Sequence, residues 1–195
     1  MIWMSSAVMA CHQCSFWAGY ILLNPLRYWA QSPRRILGPL VRPGDTVLDV
    51  GCAMGFFSLE AARLAGPRGR VICVDLRQRF LDILARRAAR AGLADRIERR
   101  LCTADSLRID DLHRTINIAL SVFVAHEVSD QGRFFSEIRD ALKPDGRLLL
   151  AEPRMHVRAA DFDRTVETAR QVGFEIVGQP VIRSARTVLL GATRP

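Results

Sequence analysis

Thr46-Val-Leu-Asp-Val-Gly-Cys-Ala-Met-Gly-Phe-Phe-Ser58 is the most informative segment of this sequence. Its first part, Val47 to Val50, is a short apolar and β-branched run that is typical of a buried strand. Gly51 and Gly55 interrupt the run, and the apolar residues after them have helical spacing. A buried strand that turns through glycines into a helix N-terminus is typical of a nucleotide-binding corner in a doubly wound α/β sheet.

The spacing of the glycines indicates which kind of nucleotide such a corner could bind. A dinucleotide fingerprint, G-x-G-x-x-G, starting at Gly51 would require glycines where Ala53 and Phe56 stand. A phosphate-binding G-x-x-x-x-G-K-[ST] loop is also absent at this corner. The segment instead has an acidic residue, Asp49, two positions before the first glycine.

The pattern from Asp49 to Gly55, Asp-Val-Gly-Cys-Ala-Met-Gly, resembles the first motif of the class I S-adenosylmethionine-dependent methyltransferases. That family usually has a glycine at the position of Ala53. The resemblance implies S-adenosyl-L-methionine as the cofactor, with its methionine part held by the acidic residue and the loop amides. The implied cofactor-binding residues of this loop are Asp49, Gly51, Cys52, Ala53 and Gly55.

Strands and helices are predicted to alternate along a single α/β domain of residues 33–195. The predicted strands after the first are 71–74, 96–102, 116–124, 148–151, 174–182 and 186–192. The last two have no helix between them, so they must pair antiparallel, because a parallel return needs a long crossover. This ending is similar to the doubly wound, seven-stranded, mostly parallel sheet of the methyltransferase family, in the order 3-2-1-4-5-7-6 with a C-terminal antiparallel hairpin.

Residues 1–32 differ in composition from the rest and contain all three tryptophans and both tyrosines. Short helices with an aromatic face are predicted here. They would either pack on the core or form a lid that excludes water from an acceptor pocket. Cys11, His12 and Cys14 resemble half of a zinc site, but no second ligand pair completes it, so no metal is predicted.

Residues after the second and third predicted strands are expected on the adenosine side of the cofactor. Asp75 ends the second strand, 24 positions after Gly51. A carboxylate there can accept hydrogen bonds from both ribose hydroxyls, and the alternative role is a helix cap. The resemblance adds adenine contacts after these strands, although Asp105 can also act as a cap. The predicted cofactor-binding residues outside the loop are Asp75, Leu76, Ala104, Asp105 and Ser121.

Four polar residues follow the fourth and fifth predicted strands, where an acceptor is expected. They are His126, Glu127, Glu152 and His156. Ligands of α/β sheets bind beyond the carboxyl ends of the strands. His126 and Glu152 are the predicted catalytic residues, with His126 favoured as a general base because its ordinary pKa lies near neutrality. A divalent metal held by these residues is the less favoured alternative, and a structural role is the third.

The composition adds few constraints on partners. The 195-residue chain has a net charge of +8, and Lys143 is its only lysine. Such a balance can indicate binding to nucleic acid or to an anionic membrane, but the arginines are spread along the chain, which favours compositional bias.

The five cysteines form no disulfide framework. No signal peptide is recognised, and the apolar run 16–23 is too short to span a bilayer. A cytoplasmic protein is predicted.

The sequence therefore predicts methyl transfer from S-adenosylmethionine to a small-molecule acceptor. An RNA-modifying methyltransferase is one alternative, supported by the charge alone. The Asn/Asp-Pro-Pro-Tyr/Phe motif of nucleic-acid amino-methyltransferases and the Pro-Cys pair of RNA cytosine C5 enzymes are both absent. A non-catalytic cofactor-binding protein, in which Ala53 marks decay of the loop, is the other alternative. The sequence leaves the acceptor and the oligomeric state open.

Overall fold

Strands and helices alternate in the computed structural model, which describes residues 32–193. The strands are β1 (Thr46–Val50), β2 (Arg70–Asp75), β3 (Ile97–Leu101), β4 (Ile116–Val122), β5 (Leu142–Pro153), β6 (Phe174–Gly178) and β7 (Ala185–Ala192). The helices are α1 (Pro33–Leu37), α2 (Ser58–Ala65), α3 (Gln78–Arg90), α4 (Gln131–Ala141) and α5 (Ala159–Gln171). Short 3-10 turns lie at Ala94–Arg96, Asp110–Leu112 and Ala125–Glu127.

The seven strands form one sheet in the order β3-β2-β1-β4-β5-β7-β6. The first five strands of the chain pair in parallel, and β7 runs antiparallel to both β5 and β6. The predicted fold class and strand order are therefore confirmed. This order places the carboxyl ends of β1, β2 and β4 side by side, where the glycine segment leaves the sheet.

Helices cover both faces of the sheet. On one face, Leu37 of α1, Leu59 of α2 and Leu84 of α3 belong to one buried cluster. On the other face, Phe135 of α4 and Phe162 of α5 belong to a second one. Because side chains of a strand alternate between faces and both faces are covered, the central strands are predominantly apolar.

The boundaries of β5 differ from the prediction. The fifth strand is predicted at 148–151, but β5 already begins at Leu142 and extends to Pro153. Its pairing with β4 shifts register between Ile116 and Ile118, and the extra residues are accommodated there. A Cβ at Gly146 would lie 2.9 Å from the carbonyl oxygen of Ile116, so the glycine permits this close approach.

Two other predicted strands are too long. The fourth ends at Val122 rather than at residue 124, because Phe123 adopts a left-handed backbone conformation with φ of +66° that ends the ladder. The sixth ends at Gly178 rather than at residue 182, after a register shift between Ile176 and Gly178 against β7.

The aromatic segment 1–32 and the Cys11, His12 and Cys14 cluster lie outside the described residues, apart from Ser32. Within residues 32–193, no helix has the length and apolar character needed to cross a membrane. The three cysteines of this part, Cys52, Cys73 and Cys102, are buried and free.

Candidate active site

The glycine loop between β1 and α2 is fixed to the end of β2. The backbone N–H groups of Gly51 and Cys52 donate to the carbonyl oxygen of Val74, at 2.8 and 3.1 Å. Gly51 and Gly55 have φ of +67° and +80°, a region that favours glycine. A Cβ at Gly51 would lie 2.3 Å from Cγ2 of Val124, so this position has no room for a side chain.

Ala53 occupies the position where the family usually has glycine, and its backbone is left-handed, with φ of +47°. For a residue with a Cβ this conformation costs about 1 kcal/mol. Its N–H donates to Oδ2 of Asp75 at 2.9 Å, so a specific hydrogen bond holds the strained residue in place. The loop therefore keeps the backbone shape that a glycine would give it, despite the substitution.

Asp75 links the loop to the start of α3. Its Oδ2 accepts from Ala53, and its Oδ1 accepts from the N–H of Arg77 at 2.9 Å. Burial raises the pKa of this carboxyl, and the hydrogen bonds from Arg77 and Ala53 offset part of that effect. Asp75 is not the N-cap of α3, because that position is Arg77 and no side chain caps it. Each carboxylate oxygen keeps a second lone pair, and the ribose contact stays a prediction.

Asp49 lies beneath the loop, at the penultimate position of β1. It is buried, and Oγ of Ser58, the first residue of α2, donates to its Oδ2 at 2.5 Å. Burial raises the pKa of Asp49 to about 7, because it disfavours the charged form, although the Ser58 hydrogen bond lowers it in part. The acid that the motif requires is therefore a buried group that joins β1 to α2.

The other predicted cofactor-binding residues fall into two groups. Leu76, which is 55% exposed, follows β2, and the exposed Ala104 and Asp105 follow β3. These three are accessible at the carboxyl edge of the sheet. Cys52 and Ser121 are buried instead, and Oγ of Ser121 has no hydrogen-bond partner within the described residues.

His126 and Glu152 meet at the carboxyl ends of β4 and β5. Nδ1 of His126 lies 2.5 Å from Oε2 of Glu152. Glu152 is only 1% exposed, and its Oε1 has no partner within the part of the chain that the structure describes. The 3-10 turn that carries His126 is held by a hydrogen bond of 2.8 Å from Nε2 of Gln131 to the carbonyl oxygen of Ala125.

The electrostatics of this pair define the state of the imidazole. Burial lowers the pKa of His126, but the hydrogen bond and the negative charge of Glu152 outweigh it, so the pKa of His126 is raised. The bond to the carboxylate places the proton of the neutral imidazole on Nδ1, so Nε2 is the nitrogen that can accept a proton. The His126 side chain is 28% exposed, so it remains accessible to solvent beside the buried carboxylate.

The four predicted acceptor-side groups do not all converge. His126 and Glu152 come together, whereas Glu127 and His156 are exposed on the turns that follow β4 and β5. Within residues 32–193, no three His, Cys, Asp or Glu side chains form a group that could hold a metal ion.

Sequence reasoning missed Phe123 and Val124, which connect the two sides of the site. The left-handed Phe123 donates its N–H to the carbonyl oxygen of Ala151 at 2.8 Å and turns the chain out of β4. Val124 then packs over Gly51, two residues before His126. A single sequence gives no signal for a bulky residue in this conformation, which is rare outside strained sites.

Comparisons with known proteins identify the family. The model of a methyltransferase domain family matches residues 42–180. This chain belongs to that family. The chain is also similar to a SAM-dependent methyltransferase of Aquifex aeolicus, with a TM-score of 0.82 at 18% identity over 93% of this chain and 100% of that one. The predicted class I S-adenosylmethionine-dependent methyltransferase domain, with S-adenosylmethionine as its cofactor, is therefore confirmed.

Two relatives that are similar to part of this chain are methyltransferases with different acceptors in their names. A demethylmenaquinone methyltransferase of Symbiobacterium thermophilum is 35% identical over 57% of this chain and 43% of its own length. An arsenite methyltransferase of Halobacterium salinarum is 32% identical over 56% of this chain and 27% of its own length. The chain thus spans less than half the length of these relatives, and the two differ in the acceptor that their names state.

The contact between Gly51 and Val124 gives a prediction about stability. Gly51→Ala should lower the free energy of unfolding by the strain of a positive φ, roughly 1–2 kcal/mol, and by a further ~1–3 kcal/mol for displacing Val124. Gly92→Ala is the matched control, because Gly92 has φ of +65° and open space where a Cβ would be. Urea unfolding of both variants measures the difference. Equal losses would show that the packing against Val124 is loose.

The raised pKa of Asp49 gives a prediction about pH. The usual pKa is 3.8 and the folded one about 7, so between these values the folded protein holds a proton that the unfolded chain releases. The free energy of unfolding should therefore fall as the pH rises through this window. Asp49→Asn should flatten the dependence. If the free energy of unfolding changes equally with pH in both proteins, the raised pKa of Asp49 is contradicted.

Proposed function

We propose that this protein transfers a methyl group from S-adenosylmethionine to a small-molecule acceptor, with His126 as the general base and Glu152 as its partner. The observation that carries the proposal is the His126–Glu152 pair, at 2.5 Å, on the strand ends that adjoin the glycine loop. Val124 joins the two halves, since it packs over Gly51 and precedes His126 by two residues.

The cofactor, when bound, supplies an electrophilic sulfonium methyl group, so the protein mainly has to align the acceptor for in-line attack. A base is required where the acceptor atom loses a proton. We assign that proton to Nε2 of His126. Glu152 keeps Nδ1 protonated and stabilises the imidazolium that forms, which is the role of the carboxylate in other acid-histidine pairs.

We further propose that the loop from Gly51 to Gly55 holds the methionine part of the cofactor and that Asp75 accepts the ribose hydroxyls. The accessible Leu76 and the Ala104-Asp105 bend are assigned to the adenine side. The buried Cys52 and Ser121 support this pocket from beneath, and Ser121 can bind the cofactor directly only if the covering residues move.

Small acceptors are favoured over RNA. The names of the two curated relatives state a demethylmenaquinone and arsenite, both small molecules. Apart from the net charge, no feature of the described residues favours nucleic acid over these. A cytoplasmic location stays a prediction from the sequence.

Residues 1–32 are proposed to form a lid over the acceptor side. Ile36 of α1 packs against the cluster of Ala151, Ile182 and Ala185, one residue from Glu152 in β5. The tryptophans and tyrosines of residues 1–32 suit an apolar cover over such a site.

The lid can be tested by deletion. Removing residues 1–24 should leave S-adenosylhomocysteine binding intact but reduce turnover, because water would reach the acceptor. Calorimetry and turnover assays on the shortened protein provide both readouts. Unfolding of the shortened protein would instead identify the segment as part of the core packing.

The proposed activity is tested directly with a labelled methyl donor. The protein should bind S-adenosylhomocysteine and not NAD in calorimetry, and should transfer labelled methyl to a compound in a metabolite pool rather than to an RNA pool. Tighter binding of NAD, or labelling of RNA alone, would overturn the proposal. Cofactor binding without any transfer would identify a non-catalytic protein.

Replacing the proposed base gives a more specific prediction. On the acceptor found in that screen, His126→Ala should reduce turnover by roughly 10²–10⁴-fold with cofactor affinity unchanged. His156→Ala, an exposed histidine on the neighbouring turn, is the matched control and should have no effect. Because the charge of Glu152 raises the pKa of His126, Glu152→Gln should move the rise of activity with pH to lower pH. Equal rates in both alanine variants would exclude His126 as the base.

A further inference from the structure

We propose that Arg154 and Arg186 form a binding site for an anionic group, a carboxylate or a phosphate, on the methyl acceptor. The inference rests on the function proposed above and adds the chemical class of the acceptor. Neither arginine belongs to the cofactor motif or to the proposed base.

Arg186 lies beside the catalytic pair. In the antiparallel pairing of β5 with β7, it stands directly opposite Glu152. Residues 148 and 150 of β5 and 188 and 190 of β7 belong to the same buried cluster, so alternation places Glu152 and Arg186 on that face as well. The Cβ atoms of such opposed residues are about 5 Å apart.

Arg154 lies in the turn that follows β5, close to the start of β7. Its backbone N–H donates to the carbonyl oxygen of Ser184 at 3.1 Å, one step after the pairing of Pro153 with Ala185. Its side chain bonds to the carbonyl oxygen of Ala185, the residue before Arg186. Two long side chains that start from such neighbouring segments can reach one common ligand.

Both guanidinium groups are held by backbone carbonyls. Nε of Arg154 donates to the carbonyl oxygen of Ala185 at 2.9 Å, and Nε of Arg186 donates to that of Val157 at 3.1 Å. Each bond uses one of five N–H donors. The terminal nitrogens of both residues have no carboxylate partner within residues 32–193, whereas the nearby Arg158 pairs with Asp161 at 2.8 Å.

This arrangement suits an anion in two respects. A guanidinium whose Nε is fixed presents its two terminal nitrogens as an oriented fork, which matches the two oxygens of a carboxylate or phosphate. Two neighbouring guanidinium groups without an ion-paired carboxylate also repel each other, and a bound anion reduces that repulsion. An acceptor held here by its anionic group would have its reacting atom beside His126.

The inference is tested by anion binding to the protein saturated with S-adenosylhomocysteine. Pyrophosphate and benzoate are titrated separately by calorimetry, and whichever binds more tightly identifies a phosphate or a carboxylate. Arg154→Gln and Arg186→Gln should each weaken that binding by about tenfold or more, since a charge-assisted hydrogen bond is lost. Arg170→Gln, an exposed arginine of α5, is the matched control and should bind as the parent protein does.

The conservative variant Arg186→Lys should recover part of the affinity, because it keeps the charge and loses the fork. Retained affinity for S-adenosylhomocysteine shows that each variant is folded. Failure of both anions to bind the saturated protein, or equal weakening by Arg170→Gln, would overturn the inference and leave the methyltransferase function standing. Failure to bind S-adenosylhomocysteine at all would instead contradict the proposed function.

Discussion

The absence of a side chain at Gly51 is the constraint on which both halves of the site depend. A Cβ at Gly51 would lie only 2.3 Å from Cγ2 of Val124, so Val124 fills the space that a side chain would need. The loop that starts the cofactor site therefore packs directly on the chain that leaves β4, and His126 follows two residues later. Because protein interiors are close-packed, a shift of the loop is transmitted to the turn that carries the proposed base. Cofactor binding and acceptor chemistry share one packed contact.

Most of the fold could be predicted because the pattern of apolar residues reports burial. The runs at Val47 and Val71 identified strands covered on both faces, and the short connection before Arg186 required the antiparallel hairpin. The same reasoning predicted that the acceptor-side residues lie close together, since the carboxyl ends of neighbouring parallel strands meet at one edge of the sheet. It brought His126 and Glu152 together before their contact was known, because β4 and β5 had to be neighbours.

The details that escaped prediction depend on contacts between distant residues. The left-handed Phe123 is fixed by its bond to Ala151, which belongs to another strand. The carboxylate of Asp75 also bridges the loop and the start of α3, and neither bond was predicted. Local propensity cannot report such bonds, since the partner is far away in sequence. Strained or unusual residues are also expected at functional sites, where local rules are broken and compensated elsewhere.

Glu152 and His126 have to be understood as one unit. Glu152 is 1% exposed and, within residues 32–193, its bond to His126 is the only one that its carboxylate makes. A buried carboxylate without a partner is costly, so the bond to the imidazole stabilises Glu152, and Glu152 in turn holds the proton on Nδ1. Raising the pKa of His126 makes Nε2 a stronger base but reduces the neutral fraction at a given pH. The buried carboxylate of Glu152 therefore determines which nitrogen of His126 is free to accept a proton and how strong a base that nitrogen is. Neither residue has this property alone.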